Sequence, residues 1–98
     1  MDKQKIIETI KEVIRSRHPY VIKAELFGSL ARGDNQIDSD VDLILLYDEN
    51  RPRGFEALGI HLDLEENIGR KVDIVQDHLL HDFVKKNILS DRELIYVR

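Results

Sequence analysis

The sequence predicts an α/β domain in which helices pack mainly on one face of a small mixed β-sheet. Three observations carry this prediction. Segments with helical periodicity alternate with short apolar segments along the chain, in the order αβαβαβαβ. Polar loops that contain glycine or proline separate several of these segments. The length of 98 residues and the lack of a long linker indicate one domain, residues 1–98.

The first predicted element is an amphipathic helix over residues 2–17. Its apolar side chains recur at helical spacing and form one stripe: Ile6, Ile7, Ile10, Val13 and Ile14. Asp2 is suited to cap the N-terminus, and Pro19 prevents the helix from continuing. His18, which lies just before this proline, is expected on the protein surface.

A half-buried strand is predicted over residues 21–27, where apolar and charged side chains alternate. The alternation places three apolar side chains on one face of the strand: Ile22, Ala24 and Leu26. Lys23 and Glu25 are expected on the opposite, polar face. The strand leads into one short helical turn over residues 29–32, which Gly33 closes.

The second strand is predicted over residues 41–47, because its β-branched and aliphatic side chains suit a buried position. Residues 48–54 form a polar loop with proline and glycine. A helix follows and stops at Gly69. Four of its apolar side chains are expected to face the core: Phe55, Leu58, Leu62 and Ile68.

Three elements are predicted towards the end of the chain. A strand over residues 71–76 places Asp73 on the face opposite to its main apolar side chains. A helix over residues 79–89 follows, and residues 93–97 are extended, either as an edge strand or as a tail that docks onto a partner. The chain shows no internal repeat.

Composition excludes several classes of protein. The 15 basic and 19 acidic residues give a net charge of −4, so no general attraction to nucleic acid or to an anionic membrane is expected. The absence of cysteine excludes disulfides, thiolate catalysis and cysteine zinc sites. No segment approaches the roughly 18–20 apolar residues of a membrane span, and the N-terminus lacks the apolar core of a signal peptide. A cytoplasmic protein is therefore expected.

A glycine–serine pair and an Asp-x-Asp motif indicate the chemistry. Gly28 and Ser29 follow the first strand, and Asp40 and Asp42 begin the second. Side chains two apart on a strand point the same way, so the two carboxylates project together. Mg²⁺ binds one or two such carboxylates together with substrate phosphates. Glycine lets the backbone approach a phosphate, and a helix that starts at Ser29 directs free N–H groups towards it.

Two further residues extend this predicted nucleotide–metal site, and each has a simpler alternative. Asp73, on the next strand, offers a third carboxylate, with which the site can hold two ions ~3.5–4 Å apart. The alternative for Asp73 is a plain surface charge. Arg32 lies one turn after Ser29, where it reaches either the triphosphate or a nearby carboxylate. The residues alone leave both alternatives open.

These motifs resemble the signature of the minimal nucleotidyltransferases (MNT) of the polymerase-β-like superfamily. The matching segments are GSLARGD over residues 28–34, SDVDL over residues 39–43, and the later Val-Asp-Ile strand. The resemblance covers almost the whole chain. It implies the nucleotidyltransferase fold, with nucleotide phosphates on Gly28 and Ser29. It also implies Mg²⁺ on Asp40 and Asp42, with Asp73 as the third acidic residue and base.

The resemblance further implies Mg²⁺-dependent transfer of AMP from ATP to a hydroxyl acceptor. Such proteins are often antitoxins that are paired with HEPN-domain ribonuclease toxins, and some of them transfer AMP to a tyrosine of the toxin. Two alternatives stay open. One is a non-catalytic antitoxin that neutralises its partner by occlusion. The other is a nucleotidyltransferase subunit that acts on a small molecule together with a separate helical subunit.

Overall fold

The fold is that of a computed structural model, which describes residues 2–33, 40–77 and 92–98. The elements follow one another in the order α1 (Lys3–Arg17), β1 (Val21–Phe27), α2 (Gly28–Arg32), β2 (Val41–Tyr47), a 3₁₀ helix (Gly54–Leu58), α3 (Gly59–Ile68), β3 (Val72–Gln76) and β4 (Glu93–Val97). The helix predicted over residues 79–89 lies outside the described residues. No helix within the described ranges has the length and apolarity to cross a bilayer.

The strands of the described ranges form one mixed sheet in the order β3-β2-β1-β4. β1 runs antiparallel to β2 and to β4, whereas β2 and β3 are parallel. The predicted mixed α/β sheet is therefore confirmed, and residues 93–97 form its edge strand. That residues 1–98 make a single domain stays a prediction, because parts of the chain lie outside the described ranges.

The hydrophobic core lies between one face of the sheet and the two longer helices. Both helices contribute apolar side chains that are almost fully buried: Ile6, Ile10 and Ile14 from α1, and Ile60, Leu64 and Ile68 from α3. The strands complete this core with Val21, Ala24, Leu26, Val41, Leu43, Leu45, Val72 and Ile95. Asp2 caps α1 as predicted, since its Oδ1 accepts a hydrogen bond of 2.8 Å from the backbone N–H of Lys5.

The predicted inner face of the second long helix is mostly wrong. Phe55 is 93% exposed, Leu58 53% and Leu62 58%, and only Ile68 of the predicted four faces the core. The segment carries two apolar stripes on opposite sides. The stripe that packs against α1 and the sheet runs through Ile60 and is displaced by two residues from the predicted stripe. Periodicity shows that such stripes exist but does not select the one that the rest of the fold covers.

The predicted faces of β1 also change at one point. Val21 is fully buried and Ile22 only partly, because the pairing with β2 shifts register between Val21 and Lys23. Glu25 is 9% exposed rather than on a solvated face. Arg92 explains this burial, because its Nε donates to Glu25 Oε2 at 3.0 Å and its Nη2 donates to the other oxygen.

His18 is buried, contrary to the surface position expected for it. Its Nε2 lies 2.8 Å from Asp63 Oδ2, and its Nδ1 lies 3.1 Å from the hydroxyl of Tyr20. The histidine therefore joins the end of α1 to α3 and to the start of β1. Both ring nitrogens have partners, which is how a buried imidazole is normally accommodated.

Truncation of Leu64 and of Leu62 separates the two faces of α3. Leu64→Ala should lower the free energy of unfolding by about 2–5 kcal/mol, because it leaves a cavity in the core. Leu62→Ala, on the same helix but 58% exposed, should change it by less than ~0.5 kcal/mol. Urea unfolding in dilute protein measures both variants. Equal losses would contradict the assigned inner face.

Candidate active site

The C-terminal end of β1 and the N-terminal ends of β2 and β3 meet at one end of the sheet. Asp42 on β2 lies directly opposite Phe27 on β1, and on its other side it is in register with Asp73 on β3. Residues opposite each other on neighbouring strands project to the same face. The Asp42 and Asp73 carboxylates therefore share the sheet face that points away from α1 and α3.

Gly28 places the backbone turn against the Asp42 carboxylate. It has a positive φ of 76°, which glycine adopts without strain. A Cβ atom at this position would lie 3.3 Å from the carboxyl carbon of Asp42 and still closer to one of its oxygens. The turn after β1 and the start of β2 thus approach closely only because residue 28 has no side chain.

Asp42 carries a strongly perturbed carboxyl group. Burial is the largest cause that raises its pKa, the neighbouring carboxylates of Asp73 and Asp40 raise it as well, and the result is a pKa of about 6. Asp42 and Asp73 also share a hydrogen bond between their side chains. The Arg32 guanidinium acts in the opposite direction and lowers this pKa. Asp73, Asp40 and Arg32 therefore all lie close enough to change the pKa of Asp42, the two carboxylates by raising it and the arginine by lowering it.

Asp40 lies at the outer side of this group, with a side chain 42% exposed. Lys71, just before β3, places its Nζ 3.9 Å from Asp40 Oδ2. The parallel pairing fixes this neighbourhood, since the backbone N–H of Val41 donates to the carbonyl of Lys71 at 2.9 Å. Lys71 is absent from the predicted site, because its position beside Asp40 follows from strand order rather than from a motif.

The short helix α2 carries Ser29 in its first turn and Arg32 in its last. Gly33 ends the helix with a φ of 84°, as predicted. Lys3 holds the end of the helix from outside, because its Nζ donates to the carbonyl of Ala31 at 3.2 Å and pairs with Glu93 at 2.8 Å. No local sequence pattern predicts this contact of Lys3, because it joins residues far apart in the chain.

The acidic residues suit a metal that also binds the substrate. Within residues 2–33, 40–77 and 92–98, no three His, Cys, Asp or Glu side chains form a ready cluster for a metal ion. Mg²⁺ is usually held by one or two carboxylates together with phosphate oxygens and water. Asp42 with Asp40 or Asp73 supplies the carboxylates, and their mutual repulsion is what a divalent cation relieves.

Several known proteins are similar to this chain in sequence. A sequence profile of the family "Polymerase beta, Nucleotidyltransferase" matches residues 8–98. A relative from Methanocaldococcus jannaschii, provisionally named a protein adenylyltransferase, is 38% identical over 95% of this chain and 99% of its own length. The protein adenylyltransferase MntA of Thermococcus cleftensis is 32% identical over 96% of this chain and 91% of its own length.

Two solved structures share the fold. One, provisionally named a minimal nucleotidyltransferase, has a TM-score of 0.74 and 28% identity and covers 99% of this chain and 97% of its own. The other is a Shewanella oneidensis MNT antitoxin in complex with a tri-AMPylated HEPN toxin. It has a TM-score of 0.71 and 16% identity and covers 98% of this chain and 73% of its own. The predicted nucleotidyltransferase fold is confirmed.

Gly28→Ala tests the close approach of the turn to Asp42, with Gly33→Ala as its control. Both glycines have positive φ, so both alanines should cost about 1–2 kcal/mol of backbone strain. At Gly28 the new Cβ meets the Asp42 side chain, whereas at Gly33 no atom of the described residues lies within 4 Å of it. Gly28→Ala should therefore lower unfolding stability by a further ~1–3 kcal/mol. Equal losses in thermal or urea unfolding would contradict the contact.

Asp42→Asn tests the raised pKa through stability. Between the ordinary pKa of 3.8 and about 6, the folded protein holds a proton that the unfolded chain has lost. The free energy of unfolding therefore falls as pH rises through this window. Asparagine does not ionise, so the Asp42→Asn variant should not lose stability in this way. Without Mg²⁺, the free energy of unfolding of the variant should exceed that of the wild type by on the order of 1–2 kcal/mol at neutral pH, after allowance for solvent screening. Near pH ~4 the two free energies should be equal.

The matched control for this measurement is Asp48→Asn, at the other end of β2. Hydrogen bonds from Arg98 and from the backbone N–H of Asn50 hold the pKa of Asp48 below its usual range. Its charge thus favours the folded state above the ordinary pKa, and the asparagine variant should be less stable than the wild type at neutral pH. A stability gain from Asp48→Asn, or none from Asp42→Asn, would contradict the electrostatic description.

Proposed function

Because the chain belongs to the polymerase beta nucleotidyltransferase family, we propose that it transfers AMP from ATP to a hydroxyl group of a partner protein. One observation carries the proposal. The register of three strands places Asp42 between Asp73 and the Gly28 turn, so that acidic side chains face a backbone free to approach phosphates. Relatives that this chain matches over nearly their full length are named protein adenylyltransferases.

In this proposal the turn and α2 bind the triphosphate. The absence of a side chain at Gly28 lets the turn lie directly against the Asp42 carboxylate, so that phosphates bound by the turn would lie beside the acidic group. Ser29 offers these phosphates a hydroxyl donor and a backbone N–H. Arg32, whose charge already reaches the Asp42 carboxyl, supplies positive charge to the same phosphates. Lys3 supports this arrangement indirectly, because it holds the C-terminal end of α2.

The carboxylates of Asp40 and Asp42 would hold Mg²⁺, and Asp73 would complete the acidic set. When bound, the ion supplies positive charge against the triphosphate and the departing pyrophosphate. With a cation bound there, Asp42 would be held in its ionised form, since positive charge favours the carboxylate over the protonated acid. The raised pKa of Asp42 is thus a property of the protein without metal.

In the reaction the acceptor hydroxyl oxygen forms a bond to the α-phosphorus of ATP. The bond between this phosphorus and the oxygen bridging to the β-phosphate breaks, and pyrophosphate leaves. Asp73 is exposed at the edge strand, where an acceptor can approach, and it would take the hydroxyl proton. The role of the other residues is to orient the two reactants and to stabilise charge.

We assign the acceptor to a HEPN-domain toxin, and within it to a tyrosine. The Shewanella antitoxin that shares this fold is in complex with an AMPylated HEPN toxin. ATP as the donor accords with the cytoplasmic location expected from the sequence.

The test is transfer of AMP to a candidate HEPN-domain partner from the same organism, measured by intact mass spectrometry after incubation with ATP and Mg²⁺. The wild type should add AMP to the partner. Asp42→Asn should still bind the partner but lower the transfer rate by at least ~100-fold. Asp48→Asn, distant from the site at the other end of β2, should keep full activity.

The same mixture distinguishes the remaining hypotheses. If Asp42→Asn neutralises the toxin as well as the wild type does, occlusion rather than chemistry explains the antitoxin effect, and the proposal is wrong. If AMP appears on a small molecule and never on the partner, the assigned acceptor is wrong. Titration calorimetry with ATP, with and without Mg²⁺, shows separately whether the nucleotide binds.

A further inference from the structure

Three large apolar side chains stand in solvent along one side of the 3₁₀ helix and α3. We call Phe55, Leu58 and Leu62 the outer stripe. Phe55 is 93% exposed, Leu58 53% and Leu62 58%. Single exposed leucines are common on protein surfaces, but a contiguous apolar row that includes a nearly bare phenylalanine is typical of an interaction site.

The backbone makes this row continuous. Residues three apart eclipse each other in a 3₁₀ helix, which aligns Phe55 with Leu58. Leu58 and Gly59 both have helical dihedrals, with φ −79°, ψ −11° and φ −57°, ψ −46°, so the helix continues without a break into α3. Leu62 follows four residues after Leu58, on the same face of an α-helix. The buried Ile60 lies on the opposite side, about 200° away from Leu58.

The outer stripe is symmetric about its middle residue. With a rise of about 2.0 Å per residue in a 3₁₀ helix, Phe55 lies ~6 Å before Leu58 along the axis. With about 1.5 Å per residue in an α-helix, Leu62 lies ~6 Å after it. If a second copy of the same helix is laid antiparallel across Leu58, Phe55 of each copy falls against Leu62 of the other.

The charges at the two ends of the stripe have opposite sign. Arg53 immediately precedes the 3₁₀ helix and is exposed, and Glu66 lies one turn after Leu62 and is also exposed. In an antiparallel pair of copies, each Arg53 comes near a Glu66 of the other copy. The surface is therefore complementary to itself both in its apolar centre and in its charged ends, as a two-fold interface requires.

We propose that the outer stripe is the interface of a two-fold symmetric homodimer of this chain. The stripe is short, so we infer a dimer of moderate affinity whose assembly depends on protein concentration. Asp42 and Asp73 lie on the sheet face away from α1 and α3, so both active sites stay accessible in the dimer. The proposal does not depend on the proposed enzymatic function.

Sedimentation of the full chain over a concentration series tests this proposal. The wild type should pass from monomer to dimer. Leu62→Glu should raise the dissociation constant at least ~tenfold, because a charge enters the apolar centre. Leu94→Glu is the matched control, since Leu94 is 57% exposed but lies on β4, and this variant should dimerise like the wild type. Circular dichroism should show both variants folded.

A charge exchange provides a test that a general loss of solubility or of folding cannot imitate. Arg53→Glu and Glu66→Arg should each weaken the dimer about three- to tenfold, through like charges opposed across the interface. The double variant should recover most of the wild-type affinity, because the exchanged charges again face opposite partners. Additive weakening in the double variant would overturn the antiparallel arrangement.

Two further results would overturn the proposal altogether. One is a wild type that stays monomeric over the whole concentration series. The other is a dimer that Leu62→Glu and Leu94→Glu weaken equally. If the wild type is monomeric and Leu62→Glu weakens binding of the HEPN protein, the stripe is instead a surface for that partner, and the homodimer is wrong.

Discussion

The register of three neighbouring strands is the constraint on which the site depends. Phe27, Asp42 and Asp73 lie side by side across β1, β2 and β3, and Gly28 follows directly after the first of them. This alignment gathers carboxylates next to a turn that only glycine allows at such close approach. The antiparallel β1–β2 pair and the parallel β2–β3 pair are both needed, because either alone leaves Asp42 with one neighbour only.

The alignment is electrostatically unfavourable for the protein alone. Burial and the carboxylates of Asp73 and Asp40 all oppose ionisation of Asp42, and Arg32 offsets this only in part. Such perturbed groups concentrate at functional sites, where a ligand removes the conflict. A divalent cation and a triphosphate would do so together, since each compensates the charge of the other. The fold thus holds in place a group of charges whose mutual repulsion a bound cation and nucleotide would relieve.

The local motifs of this site could be predicted from the sequence. The contacts between residues far apart in the chain could not. The β-branched and aliphatic segment predicted the strand that carries Asp42, and the glycine after β1 predicted the turn, because those signals are local. The burial of Glu25 depends on Arg92, which is distant in the chain and reaches it only in the folded sheet. The prediction of the inner face of α3 was wrong for a similar reason. The segment has two apolar stripes, and only tertiary packing determines which of them is buried.

The pKa of the Asp42 carboxyl group, measured by carbon NMR of the labelled side chain, tests the central claim most directly. Without metal the structure predicts a value of about 6 for this group. Addition of Mg²⁺ with a non-hydrolysable ATP analogue should lower the pKa by at least about one unit, because a bound cation favours the ionised acid. An ordinary aspartate pKa, unchanged by Mg²⁺ and nucleotide, would contradict the assignment of this carboxylate to a magnesium–nucleotide site.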